Sequence, residues 1–133
     1  MHRRHRWPAG ELSRLDVPRS PGVYAWYRDR RPVYAGRALG ASGLRGRVWS
    51  THLATGTDLS RSSFRRNVCE YLGIAATSRT RIRPSVITEW EASLVNDWIR
   101  GCEVTWAVCA TSDEADQLER DLLSEWMPPL SKR

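Results

Sequence analysis

A glutamate stands where a leucine belongs. Across residues 112–126, Ala115, Leu118, Leu122, Leu123 and Trp126 recur at helical spacing, and Glu119 falls inside their stripe. A carboxylate carried toward a core has to be ion-paired, protonated or bound to a metal. Far upstream, PGVYAWYRDRRPVYAG (residues 21–36) sets two phenols, Tyr24 and Tyr34, each two residues from a glycine, on either side of a turn crowded by Arg28, Arg30 and Arg31. Just beyond it, GLRGR (residues 43–47) puts Arg45 and Arg47 behind a glycine-rich link. The guanidinium fork matches two phosphate oxygens, so this pair suits a phosphate clamp. A phenol, with a free pKa of about 10, is a poor base at neutral pH unless cations lower it. Each feature also has an ordinary explanation: a buried ion pair for Glu119, strand aromatics for the tyrosines, a solvated basic face for the arginines, a structural role for His52.

The elements that must position these groups are short. The pattern predicts a strand near 22–27, a turn at 28–31 and a second strand near 33–36. A helix follows over about 44–54, and a second fits RSSFRRNVCEYLGIA with Ser60 or Ser62 as its cap and Gly73 near its end. A polar, basic loop (ATSRTRIRPS) leads to a strong helix, where Ile87, Trp90, Leu94, Val95, Trp98 and Ile99 recur at three and four and Gly101 stops it. CEVTWAVCA alternates as a strand, and the last helix runs from a cap at Ser112 to Trp126. The expected fold is α/β (α+β): a small three-stranded, mainly antiparallel sheet flanked by helices in the order β-β-α-α-α-β-α. Residues 1–19 read as a basic N-terminal arm and 20–133 as a single domain.

Charge narrows the partner. Residues 1–86 hold 17 arginines against 5 acids, whereas residues 87–126 hold 2 against 10. One sector is built to meet a polyanion, and nucleic acid is the default polyanion. Arg45, Arg65, Arg66, Arg79, Arg81 and Arg83 are the candidate phosphate contacts. The basic residues are 20 arginines and one lysine, Lys132, a bias that points to a GC-rich bacterial genome. Cys69, Cys102 and Cys109 form no CxxC and are odd in number, as reduced thiols in a cytoplasm are. No run of about 18 apolar residues is present to span a membrane, and MHRRHRWPAGEL lacks the apolar stretch of a secretory signal.

Taken in order, GVY (22–24), YAG (34–36), GLRGR (43–47) and LERDLLSEWMPPL (118–130) resemble the GIY-YIG nuclease family over roughly residues 20–132. The resemblance implies a metal-dependent endonuclease that hydrolyses phosphodiester bonds, with DNA the first expectation and RNA the alternative. It places the family's essential arginine on Arg47 and its metal-binding glutamate on Glu119, which would hold one Mg²⁺ or Mn²⁺. It makes Tyr24 the expected base toward water, with Tyr34 orienting the water or sharing the role, and gives Arg37 the place of a basic residue that follows the second motif. A tyrosine base would make the rate rise with pH into the alkaline range. Two departures stand out. Ser131 follows PPL where the family often has Asn, and the histidine common four residues past the arginine is replaced by Thr51, with His52 five past.

Two other function classes compete with a DNA endonuclease. One is a nucleic-acid-binding module that kept the fold without the chemistry; intact Tyr24, Tyr34, Arg47 and Glu119 count against it. The other is an enzyme of this fold recruited to RNA or a smaller substrate. Specificity elements are expected only in the N-terminal arm and residues 55–86, so recognition of a nucleic-acid structure, or a protein partner that supplies specificity, is the expectation.

Overall fold

The structure, a computed structural model, describes residues 5–131. Its centre is an antiparallel sheet of β1 (Trp7–Pro8), β2 (Gly22–Arg28), β3 (Arg31–Ala38) and β4 (Glu103–Val108), in the spatial order β1-β4-β2-β3. The β2–β3 hairpin turns through Asp29 and Arg30, both at positive φ, the backbone that matches the twist of the flanking strands. The expected three-stranded sheet is therefore corrected to four. The added strand is two residues long and comes from the stretch read as an arm. It covers the outer edge of β4, with Trp7 stacked on Trp106 at a 5.7 Å centroid separation. Ala9, Leu12 and Val17 then enter the core, so residues 7–17 pack against the sheet and its helices.

Strand alternation gives the sheet two different faces. Tyr24, Trp26, Tyr34 and Val104 share one, by their cross-strand register. It is covered by a helix over Arg45–His52, by α1 (Ser63–Tyr71) and by α3 (Glu89–Arg100), and it holds the core around Trp26, Phe64, Val48 and Val68. Val23, Ala25, Tyr27, Ala35 and Arg37 point to the other face, where α4 (Ser112–Glu125) packs on β2 and β3. A short helix, α2 (Thr77–Thr80), interrupts the basic loop.

Helix starts follow the expected chemistry, with one shift. Ser62 caps α1, its hydroxyl accepting from Arg65 N, and Thr88 caps α3 in a capping box with Glu91. Thr111, one residue before the expected Ser112, caps α4. The apolar stripe of α3 is rotated from its expected setting. Ala92, Val95 and Ile99 are buried against α1 and the turn at Ala9–Glu11, while Trp90 is 72% exposed.

Candidate active site

The two phenols come to one place because the register demands it. Tyr24 pairs across to Gly36 and Tyr34 to Trp26, on the same face, and the tyrosine rings lie 6.4 Å apart. Gly36 makes room for the neighbouring phenol: a Cβ there would stand 2.5 Å from the Tyr24 hydroxyl oxygen. The bare backbone of the second motif thus seats Tyr24. Gly36→Ala is expected to cost about 1–3 kcal/mol, as overpacking does, and to displace the phenol; a urea titration reads the first and loss of cleavage the second.

The third strand-proximal group arrives by an unusual helix. Residues Arg45–His52 form a π-helix, in which Leu53 N donates to Val48 O, five residues back, at 3.1 Å. Its first amide groups are satisfied by the preceding segment, Leu44 N on Ser20 O and Arg45 N on Pro18 O. Gly43, at φ +48°, is needed there, since a Cβ would meet Arg19 O at 2.1 Å. In an α-helix, residues four apart share a face; the π-helix widens the turn so that residues five apart do. That geometry repairs the displaced histidine: His52, five past Arg47, still turns toward the tyrosines. Its Nε2 lies 2.6 Å from the Tyr24 hydroxyl and its Nδ1 2.7 Å from Ser62 Oγ.

Burial sets the protonation of this chain of groups. His52 is fully buried, and its pKa is held well below the usual 6.5, first by burial and then by the Arg47, Arg66 and Arg65 charges. The imidazole is neutral, with one nitrogen donating and the other accepting. Burial also raises the Tyr24 phenol far above its usual 10, and the Tyr34 charge adds to this, with Arg47 opposing. Tyr34 is raised by burial too, against a hydrogen bond with Ser63 Oγ and the Arg47 charge. Below about pH 6.5 the unfolded chain takes up a proton that folded His52 refuses. The unfolded state then binds more protons, so stability falls as pH falls, by at most about 1.4 kcal/mol per pH unit. Urea midpoints at pH 7.5 and 5 are expected to show that loss, and His52→Gln to shrink it.

Opposite these groups, α4 brings Glu119, only 7% exposed, to the edge strand. Its Oε1 accepts from Arg37 Nη1 at 2.8 Å, and Arg37 Nε is 3.1 Å from Asp116, which also pairs with Arg120. Tyr24, Tyr34, Arg37, Arg47, Ser63, Glu119 and Ser131 line one pocket of about 430 Å³, which straddles β3 at Gly36. Ser131 holds that strand: its hydroxyl accepts from Ala35 N at 2.7 Å and faces Ala35 O at 3.2 Å. The residue standing in place of the family Asn therefore clamps the YAG backbone.

The match to a known family is decided over nearly the whole chain: the model of the GIY-YIG catalytic domain matches residues 12–133. The chain belongs to the GIY-YIG family. No curated protein and no solved structure gives a significant match. The family fold is of nuclease type, and GIY-YIG nucleases generally depend on a divalent metal. No helix among the described residues is long and apolar enough to cross a membrane.

The GIY-YIG fold separates the predicted arginines. Arg81 and Arg83 lie close enough to Arg66 for their charges to act on it, and Arg66 also acts on Tyr34 and feels Arg47. Arg79 is exposed on α2, and Arg45 feels the charges of Arg14 and Arg19 and donates its Nε–H to Val17 O. Arg65 is a correction. It is 1% exposed, and its guanidinium donates to Gly56 O at 2.7 Å and to Asn96 Oδ1 at 2.9 Å. It braces α1 against the loop before it and α3, and offers nothing to phosphate. Arg37, the basic residue after the second motif, is paired with carboxylates on α4, while the Arg47 charge acts on both phenols.

Ser62 and Ser63 escaped the sequence reading as site residues. The available signal was the helix cap: a Ser-Ser pair starting a helix that packs under the hairpin sets one hydroxyl, Ser62, on His52 behind the pocket and the other, Ser63, on Tyr34 in its wall. Among the described residues no cluster of three or more His, Cys, Asp or Glu gathers as a metal cage. A single recessed carboxylate beside a polar pocket fits an ion such as Mg²⁺, which keeps most of its waters and takes one or two protein carboxylates plus substrate phosphate.

Proposed function

We propose that this chain is a metal-dependent endonuclease hydrolysing phosphodiester bonds, in DNA first, with Tyr24 and His52 acting as one proton relay. The observation that carries the reading is the unbroken line Tyr24–His52–Ser62 behind a pocket that also holds Arg47, Tyr34 and Glu119. The Tyr24 hydroxyl donates to His52 Nε2, and Nδ1–H donates to Ser62 Oγ, the tautomer a neutral imidazole needs to accept from a phenol. Tyr24 is protonated at neutral pH, so it does not wait as a phenolate. As water attacks phosphorus, its proton passes to the Tyr24 oxygen while the phenol's own proton passes to Nε2. The resulting imidazolium, buried among arginine charges, returns its proton to the Tyr24 oxygen as the phenol releases one to solvent water, and the departing ester oxygen takes up a proton from water.

Arg47 supports this step twice. Its charge eases proton loss from Tyr24, and its guanidinium faces the nonbridging oxygens as negative charge builds on them. Tyr34, held by Ser63, orients the attacking water. Glu119 is the residue that would hold Mg²⁺ or Mn²⁺, and the ion would supply Lewis-acid help to the leaving alkoxide. Arg66, Arg81 and Arg83 extend the positive field from the pocket along the backbone of the substrate, each expected to contribute about one unit of salt slope.

The test is incubation of the pure chain with supercoiled plasmid, branched DNA and single-stranded RNA, with Mg²⁺, Mn²⁺ or EDTA. Nicking or linearisation with an ion and none in EDTA is expected. Binding of DNA without cleavage under any ion would leave a nucleic-acid-binding module, and cleavage of RNA alone would move the substrate.

A further inference from the structure

The face of the sheet that carries α4 is only partly covered. Val23, Ala25, Ala35, Thr105 and Ala107 form the floor of a groove of about 1120 Å³, and Leu122, Leu123 and Trp126 of the helix end form one wall. That exceeds the roughly 300–1,000 Å³ of a pocket for one small ligand. Tyr27 stands on the floor with the Arg6 guanidinium 4.0 Å above its ring centroid, and Arg30 completes that rim. Trp126 is 38% exposed and Leu122 41%, an unusual investment of apolar surface beside a charged helix face. The Thr105 hydroxyl is buried there with no hydrogen-bond partner. Ala35, Gly36, Glu119 and Leu123 belong both to this groove and to the candidate active site, so the two are continuous.

We propose that this groove binds unpaired nucleotides of the substrate strand next to the bond that is cut, and so makes the enzyme selective for nucleic acid with single-stranded segments; this rests on the nuclease reading above. The argument is one of exposed ring faces. Within a duplex the bases present only their edges, since their faces are stacked on one another. Trp126 and the Arg6–Tyr27 pair offer flat surfaces, an aromatic ring and a guanidinium plane, to which only an unstacked base can present a face. The small residues of the floor let a planar group lie against the sheet, and a base edge supplies the partner that the Thr105 hydroxyl lacks. Arg6 and Arg30 meet the phosphates that follow. A strand leaving the pocket over Gly36 enters this groove without a gap.

The experiment measures binding in EDTA by fluorescence anisotropy, using oligothymidylate, oligouridylate, a blunt duplex and the same duplex with a single-stranded tail. Trp126→Ala and Tyr27→Ala are expected to weaken the single strands and the tailed duplex by about five- to 150-fold per base lost, leaving the blunt duplex within twofold. Thymidylate and uridylate arms separate DNA from RNA. Quenching of the wild-type tryptophan fluorescence by the single strand, and not by the duplex, is an independent reading should either variant fold poorly. Equal losses on duplex and single strand, no loss on either, or a dimer that Trp126→Ala dissociates would overturn the proposal. If the variants bind tails normally while wild type still cuts plasmid, the groove fails and the nuclease stands. If Trp126-dependent binding is present but no ion supports cleavage, the nuclease reading fails and the groove stands.

Discussion

Tyr24→Phe is expected to fold, to bind nucleic acid as wild type does, and to cleave at least about a hundredfold more slowly. Only one oxygen is lost, and the ring keeps its contacts with Gly36, Tyr34 and His52. The cost in stability is the buried hydrogen bond to His52, about 1 kcal/mol. The pH profile tells a relay from a preformed phenolate. Burial holds the Tyr24 phenol far above 10, so ionisation of Tyr24 produces no rise in rate between pH 7 and 10. Protonation of His52 instead ends the relay, and since its pKa lies well below 6.5, the acid limb falls well below that value. His52→Gln should remove that limb along with most of the rate. An alkaline limb that vanishes in Tyr24→Phe would restore the simple phenolate base and reduce His52 to a packing residue. Undiminished turnover in Tyr24→Phe would take the chemistry away from the first motif altogether.

The chain showed its chemistry in sequence where that chemistry is local or breaks a pattern. Gly22, Tyr24, Tyr34 and Gly36 fall within one hairpin, so their nearness is legible, but the register shift between Trp26 and Tyr27 is what sets Tyr24 opposite Gly36 and both phenols on one face. Glu119 was visible because it violates an apolar stripe, and it is buried. What stayed hidden depends on geometry that periodicity does not encode. His52 looked misplaced because helical reasoning assumes a residue four ahead shares a face; nothing in RGRVWSTH announces a wider turn, and only the π-helix brings His52 to Tyr24. Arg65 was counted as surface charge by type, yet the cap at Ser62 turns it inward, where Gly56 and Asn96 hold it. Spacing puts Trp90 in the core, but the face of α3 that packs carries Ala92, Val95 and Ile99 instead. The strand Trp7–Pro8 is too short, and too near a proline, to alternate visibly; it exists because β4 has an edge to cover.

Glu119→Gln is expected to abolish binding of Mn²⁺ and lower cleavage by at least about a hundredfold, while the fold survives. Glutamine is the informative replacement. Its amide oxygen still accepts from Arg37, so the contact between α4 and β3 persists, and only the negative charge goes. Arg37 is more than a third exposed and retains Asp116, which keeps the structural loss to about 1 kcal/mol or less. A purely structural Glu119 therefore predicts a small shift in urea midpoint and unchanged turnover. A metal-holding Glu119 predicts the reverse: a stable protein, no saturable Mn²⁺ signal in a magnetic-resonance titration, and little product at any ion concentration. The titration is a readout independent of activity, so it separates loss of the ion from general damage to the pocket. Saturable Mn²⁺ binding in the variant, with cleavage intact, would return Glu119 to the role of an ion-pair partner for Arg37 and require the ion, if one is used, to be held elsewhere.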